Sequence, residues 1–280
     1  MHIPPFDNAN RPIVDVDDPT VPLTFFNIVK LRRGEAFDCR VPAYETAIVP
    51  ATGSTDVEIE GVRFGGVGQR RLDVWDGEPE GVYVPSGASA RMVCVSDSAE
   101  VFVAGARYDK VLSPFVVRAA DIDAIQYGSD ETKTHRKIKH ILGAKQRDQV
   151  GRLLVSELFT VGQGGWSGFP PHKHDEDRPP VETRHDETYN FRFRPKNGFG
   201  LQLLQREDGK VGEAYHLVDG STVLLDKGFH PCVAAPGYEM YYFTILGGLS
   251  QRPLIQYFQP SHAHQIETIP GIKDMIAKFK

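Results

Sequence analysis

The sequence predicts an all-β chain made of two copies of one jelly-roll β-barrel with short peripheral helices, and three observations carry that expectation. Short apolar runs punctuated by Gly, Pro, Asp and Asn fill both halves, sustained helical periodicity is scarce, and the halves repeat each other at long range. The runs TAIVPATG (46–53), GVYVPSG (81–87) and EVFVAGA (100–106), then STVLLDKG (221–228) and MYYFTILGG (240–248), have the length and turn punctuation of antiparallel strands. Helical turns are expected only within 119–142, around AADIDAIQY and THRKIKHIL, and in a short C-terminal helix over 271–280.

The repeat sets VYVPSGAS (82–89) beside VLLDKGFH (223–230), each a strand running into a glycine turn and a second strand, so that Gly87 lies opposite Gly228. A further apolar strand follows at a similar interval in each half. A looser match puts Glu45 and Thr46 opposite Glu187 and Thr188. Ser89 falls where the second copy has His230, and the first copy has no histidine pair, so chemistry is expected in the second barrel alone. The expected division is 1–118 for a first barrel lacking metal ligands, 119–150 for a connection, and 151–280 for a metal-binding barrel with the C-terminal helix.

Composition excludes several classes. With 40% hydrophobic and 25% charged residues over 280 positions, the chain has the balance of a globular protein with a real core. A net charge of -5 with interspersed signs offers no basic stripe for nucleic acid. No run approaches the ~18 apolar residues of a membrane helix, and the opening residues lack the basic end and apolar run of a secretory signal. Three cysteines without C-x-x-C spacing support neither a disulfide framework nor a thiolate metal site. A cytoplasmic protein with reduced thiols, no nucleic-acid partner and no membrane partner is the expectation.

HKHD (172–175) places His172 and His174 at i and i+2, which on a strand share a face. Two convergent neutral imidazoles suit a divalent first-row metal, and a carboxylate with a further histidine would complete a four-ligand set. Glu187 opens ETYNFRFRP, where it shares a face with Tyr189, Phe191 and Phe193, so it is expected to point inward. Glu182, His185 and Asp186 lie in a proline-containing charged segment and are expected to be solvated. His230 follows the turn at Gly228 and is the candidate for the last ligand. Cys232 reads as packing, and His135, His140 and His216 as structural or exposed. His262 and His264 form a second i, i+2 pair without a carboxylate-bearing strand beside it.

WSGFPPHKHD (166–175), ETYNFRFRPKNGFG (187–200), VDGSTVLLDKGFHPCVAAPGYEMYYFTILGG (218–248) and THRKIKHIL (134–142) together resemble the 5-deoxy-glucuronate isomerase family of myo-inositol catabolism. That resemblance implies a bicupin whose second barrel holds one divalent metal through His172, His174, Glu187 and His230. Zinc is the first expectation, and manganese, iron and nickel are compatible with the same donors. It also implies isomerisation of the small sugar acid 5-deoxy-glucuronate to 2-deoxy-5-keto-gluconate through an enediolate. Tyr242, ahead of Tyr189, is the expected catalytic base, while Arg178 or Arg184 is expected to hold the substrate carboxylate, with Gln202 as a further substrate contact. Two departures bear on substrate choice: Asn190 in a run that the family fills with tyrosine, and Leu203 where the family has arginine. An iron-dependent cupin dioxygenase with the same ligands, or a non-catalytic cupin that binds metal or sugar, are the alternatives. Sheet-rich barrels pair through their outer faces, so a homo-oligomer is compatible with this reading.

Overall fold

Strands buried on both faces read as unbroken apolar runs, because alternate side chains enter different cores. The strand Glu239–Gly248 is such a case: Met240 and Tyr242 enter one core, and Tyr241, Phe243 and Ile245 another. In the computed structural model, which describes residues 1–278, that strand lies in the middle of a seven-stranded antiparallel sheet. Its order is His2–Ile3, Thr222–Leu225, His185–Arg194, Glu239–Gly248, Leu153–Thr160, Arg136–Leu142 and Asp123–Tyr127. A four-stranded sheet (Trp166–Ser167, Cys232–Ala234, Phe199–Leu204, Glu213–Val218) faces it. The first half repeats the plan: a six-stranded sheet ordered Phe115–Val117, Gly81–Val84, Tyr44–Thr52, Ser98–Arg107, Thr24–Arg32, Pro12–Val14 faces the four strands Ala36–Cys39, Ala90–Cys94, Thr55–Ile59 and Val62–Val67. These are two jelly-roll sandwiches, each with its own core. A third apolar cluster lies between the two large sheets, where the Phe102 and Phe243 rings are 4.8 Å apart.

The register fixes the repeat. A shift of 141 positions carries the pair Thr46↔Val84 onto Glu187↔Leu225, and Thr46↔Gly105 onto Glu187↔Leu246. Thr46, not Glu45, is therefore the counterpart of Glu187. The looser match was one residue out of register, and one residue moves a side chain to the opposite face of a sheet. Glu45 instead corresponds to Asp186, and both point at the neighbouring barrel. The Glu45 carboxylate accepts the amides of Gly151, Arg152 and Leu153 (2.9, 2.5 and 2.7 Å) and the Tyr83 hydroxyl (2.6 Å). Asp186 accepts the Leu23 amide at 3.0 Å. Each barrel thus uses an acid at one equivalent position to hold backbone of the other.

Two local expectations change. Segment 119–142 holds one 3-10 turn, Ala119–Asp121, and then the paired strands Asp123–Tyr127 and Arg136–Leu142 rather than helical turns. Arg136, Ile138 and His140 alternate with Lys137 and Lys139 at a period of two, and the edge of Leu153–Thr160 is there to receive them. The segment expected as a connection therefore supplies two strands to the second sheet, while the N-terminal His2–Ile3 also crosses to it. The helix Ile272–Ala277 packs Ile272 and Met275 onto the second core; Phe279 and Lys280, the last part of the expected helix, lie outside the described residues. Among the described residues, no helix is long and apolar enough to cross a membrane.

Candidate metal centre

Three elements of the second barrel bring the four expected side chains together. His172 lies on the short strand His172–Lys173, which pairs with Tyr257–Phe258, and His174 follows it. Strand alternation turns the intervening Lys173 away, where its ammonium bonds Asp175, Glu176 and Glu182. Glu187 points into the barrel with Tyr189, Phe191 and Phe193. His230 follows Gly228, which has φ +95°, and a Cβ there would come within 2.7 Å of the Gln205 carbonyl oxygen, so the turn requires glycine.

The imidazole donor atoms of His172, His174 and His230 all lie within 4.8 Å of one another. Glu187 Oε2 is 3.1 Å from His174 Nε2 and 3.3 Å from His230 Nε2. Each ring is oriented through its other nitrogen: Nδ1 of His172, His174 and His230 faces the carbonyl oxygens of Pro170 (3.4 Å), His185 (3.0 Å) and Gly228 (2.8 Å). A proton donated from Nδ1 leaves the Nε2 lone pair aimed at the common centre, as ligating histidines require. His172 Nε2 accepts from the Gln256 amide at 2.9 Å, whereas the buried His230 Nε2 has no hydrogen-bond partner. Buried polar atoms are nearly always satisfied, so that orphaned nitrogen, three inward Nε2 atoms and one carboxylate fit a divalent cation.

The electrostatics agree. Burial, then the neighbouring His230 and His174, push the His172 pKa well below the ordinary value and keep the ring neutral. Burial alone would raise the Glu187 carboxyl, but the hydrogen bond of His174 and the close approach of His230 hold it well below the usual carboxylate range. Burial pulls His174 down, and the bond and charge of Glu187 more than offset this, leaving it raised. The carboxylate is thus held ionised by the imidazoles around it.

A cavity of about 40 Å³ adjoins the centre, lined by His172, His174, Glu187, Tyr189, Tyr242, Arg136 and Gln256 and closed by Phe258 and Met275. It is large enough for an ion and a water molecule. A larger cavity, about 590 Å³, lies elsewhere, lined by Phe6, Trp75, Arg192 and Arg194, and contains none of the convergent donors. The donor set converges at the smaller one.

The remaining expected site residues divide. Tyr242 and Tyr189 both line the cavity, with ring centroids 4.5 Å apart. Burial comes first among the causes that raise both phenols well above their ordinary pKa, so they are held protonated and suited to donating rather than abstracting a proton. Arg178 and Arg184 are absent from the cavity wall. Arg178 is 45% exposed and pairs with Glu176 and Glu182, and Arg184 is 41% exposed and 3.7 Å from Asp186. Local acids hold both outside. Gln202 is buried and donates to the carbonyl oxygens of His230 (2.8 Å) and Pro231 (3.1 Å), so it fixes the backbone of a candidate ligand. Glu182, His185 and Asp186, expected to be solvated, are buried: Glu182 receives Lys173, Arg178 and two amides, and His185 faces the Arg252 carbonyl. Asn190 bonds Thr222 on the face opposite Glu187, and Leu203 lines a separate surface pocket, so neither departure touches the centre.

Sequence reasoning missed Arg136 and Gln256. Both lie where strand alternation sets the face, Arg136 with Ile138 and Gln256 with Phe258.

The KduI/IolB family model matches residues 2–265. The 5-deoxy-glucuronate isomerase of Geobacillus kaustophilus is 30% identical over 224 residues, which is 80% of this chain and 79% of that protein. The 5-deoxy-glucuronate isomerase of Bacillus subtilis subsp. natto is 28% identical over 263 residues, 93% of this chain and 94% of its own. Among solved structures, an IolB-like protein from Salmonella typhimurium superposes with a TM-score of 0.80 at 27% identity, covering 86% of this chain and 89% of that one. Lactobacillus farciminis oxalate decarboxylase shares the fold alone, with a TM-score of 0.65 at 8% identity, covering 100% and 96%. A family model spanning nearly the whole length, and relatives of the same size, place this chain in the KduI/IolB family.

Proposed function

We propose that the chain is a metal-dependent aldose-ketose isomerase that converts 5-deoxy-glucuronate to 2-deoxy-5-keto-gluconate. The observation that carries this reading is the convergence of His172, His174, His230 and Glu187 on one buried point, in a chain whose relatives are named 5-deoxy-glucuronate isomerase. His172, His174, His230 and Glu187 would hold one divalent ion, with zinc the first choice for three imidazoles and a carboxylate. Such an ion would supply Lewis acidity, polarising the carbonyl oxygen of a bound sugar acid.

The protein's own residues supply orientation and proton donors. Tyr242 is fixed by Arg136, which donates to its oxygen at 3.0 Å, and by Ser167 at 2.5 Å. A phenol held protonated in this way donates a hydrogen bond to a substrate oxygen as charge builds there. Tyr189, packed between Tyr242 and His230, stands in line to do the same. Phe258, Met275 and Leu254 form an apolar wall that excludes water from the reacting carbons. At about 40 Å³ the cavity is smaller than a sugar acid, so this wall must part for substrate to enter.

The test is metal analysis of the purified protein, coupled to turnover of 5-deoxy-glucuronate in deuterated water. One metal per chain, ketose formation and deuterium at the carbon beside the carbonyl are expected. A metal-loaded sample that produces neither ketose nor deuterium exchange overturns the proposal.

A further inference from the structure

Resting on the reading of this centre as a sugar-acid site, the geometry points to Arg136 as the group that binds the substrate carboxylate and selects acids over neutral sugars. Arg136 is 3% exposed and lines the same cavity as His172, His174 and Glu187. Its guanidinium donates to two phenol oxygens, Tyr127 at 2.6 Å and Tyr242 at 3.0 Å, while Nε is buried without a partner. Among the described residues no carboxylate pairs with it. The other buried cations are all answered: Arg70 by Glu157, Lys139 by Glu78, Lys173 by Asp175 and Glu182, and Arg252 by the carbonyls of Leu142, Gly143 and Leu153.

A permanently charged group buried among neutral phenols is costly unless an anion completes it. The planar fork of a guanidinium matches a carboxylate with two parallel hydrogen bonds. The centre and Arg136 stand at opposite ends of a row of contacts, from Arg136 through Tyr242 and Tyr189 to His230. A sugar acid laid along this row puts its aldehyde end at the histidines and its carboxylate at the guanidinium.

The test uses two ligand pairs and four variants. Gluconate and its neutral counterpart glucitol are titrated calorimetrically into wild type, R136Q and R136K, and turnover is compared for 5-deoxy-glucuronate and 5-deoxyglucose. Wild type is expected to prefer the acid of each pair. In calorimetry R136Q should lose that preference, weakening the acid by about 100-fold while the neutral ligand changes far less; turnover of both substrates should fall because Tyr242 loses its partner, that of the acid further, and R136K should recover part of the preference. R178A and R184A should stay within about 2-fold of wild type, as expected for exposed surface charges. Should R136Q not fold, R136K, which keeps a buried cation without the fork, carries the comparison. An unchanged acid preference in either Arg136 variant, no preference in wild type, or equal losses on acid and neutral ligands overturns the assignment. A wild type that prefers gluconate yet isomerises nothing overturns the proposed reaction and leaves the carboxylate site standing.

Discussion

Replacing Glu45 by Gln tests whether one buried carboxylate holds the second barrel to the first. The wild-type side chain is fully buried and accepts three consecutive amides from residues 151–153 together with the Tyr83 hydroxyl. An amide of the same shape keeps one oxygen but turns an NH2 group toward N–H donors, so at least two charge-assisted bonds are lost. At ~1.5–3 kcal/mol each, allowing for relaxation, the expected loss is about 4 kcal/mol. With an unfolding entropy near 2.1 cal/mol/K per residue, this corresponds to a fall in Tm of roughly 7 °C for a chain of this length. Asp186→Asn at the equivalent position should cost far less, because Asp186 accepts a single amide and burial already raises its pKa, so neutralising it removes a desolvation penalty. Scanning calorimetry on metal-free protein is the assay, since a bound ion would stabilise the native state and mask the difference. Equal losses in the two variants, or a Glu45→Gln fall below about 1 °C, would show that the reciprocal contacts do not hold the barrels together.

Glu187→Gln should weaken metal binding by about 100-fold or more, since even groups that only orient ligands change affinity by ~10–100-fold; metal content after dialysis against a weak chelator reads it, and an unchanged one ion per chain removes Glu187 from the ligand set. Tyr242→Phe should lower kcat by about 100-fold through loss of a donor, while the pH profile keeps its shape through neutrality, because a phenol with a raised pKa stays protonated as pH rises. A limb near pH 7 that disappears in the variant would instead identify a phenolate base. Burial lowers the His140 pKa to about 4, so the unfolded chain takes up its proton first. Stability is expected to fall by up to roughly 3 kcal/mol as pH drops from 6.5 to 4, and His140→Gln should flatten that slope in pH-dependent denaturation.

The convergence of these four side chains was legible because three of its features are local. His172 and His174 need only strand alternation to converge, Glu187 declares its face through Tyr189 and Phe191, and His230 is located by an obligatory glycine turn. Arg178 and Arg184 misled because a charged segment with two prolines resembles a mobile loop, whereas Glu182, at its far end, gathers Lys173, Arg178 and two amides and ties that segment down. Charge density in sequence does not distinguish a solvated loop from a compact ion cluster, since the pairing is settled in three dimensions. The strand Arg136–Leu142 escaped for a related reason: its alternation is visible, but the partner edge that makes it a strand is supplied by Leu153–Thr160.

Duplication followed by divergence explains why, among the described residues, the three histidines and Glu187 converge in the second barrel and not the first. At the register shared by both sheets, Glu187 has Thr46 as its counterpart, and His230 has Ser89. The first barrel fills the corresponding interior with Met92, Val57, Ile48 and Val103. With Thr46 and Ser89 at those positions, a cation there would lack the counterparts of Glu187 and His230. The acidic position that both copies retain is the neighbouring one, Glu45 and Asp186, and it faces the other barrel. A single step along the strand thus separates a carboxylate that can hold a metal from one that can only hold the partner barrel, and the large-sheet contact that those acids pin also fixes the strands carrying Glu187 and Tyr242. On this argument the first barrel contributes to the site by rigidity, so a loosened interface should widen the distribution of Glu187 positions before it unfolds either core.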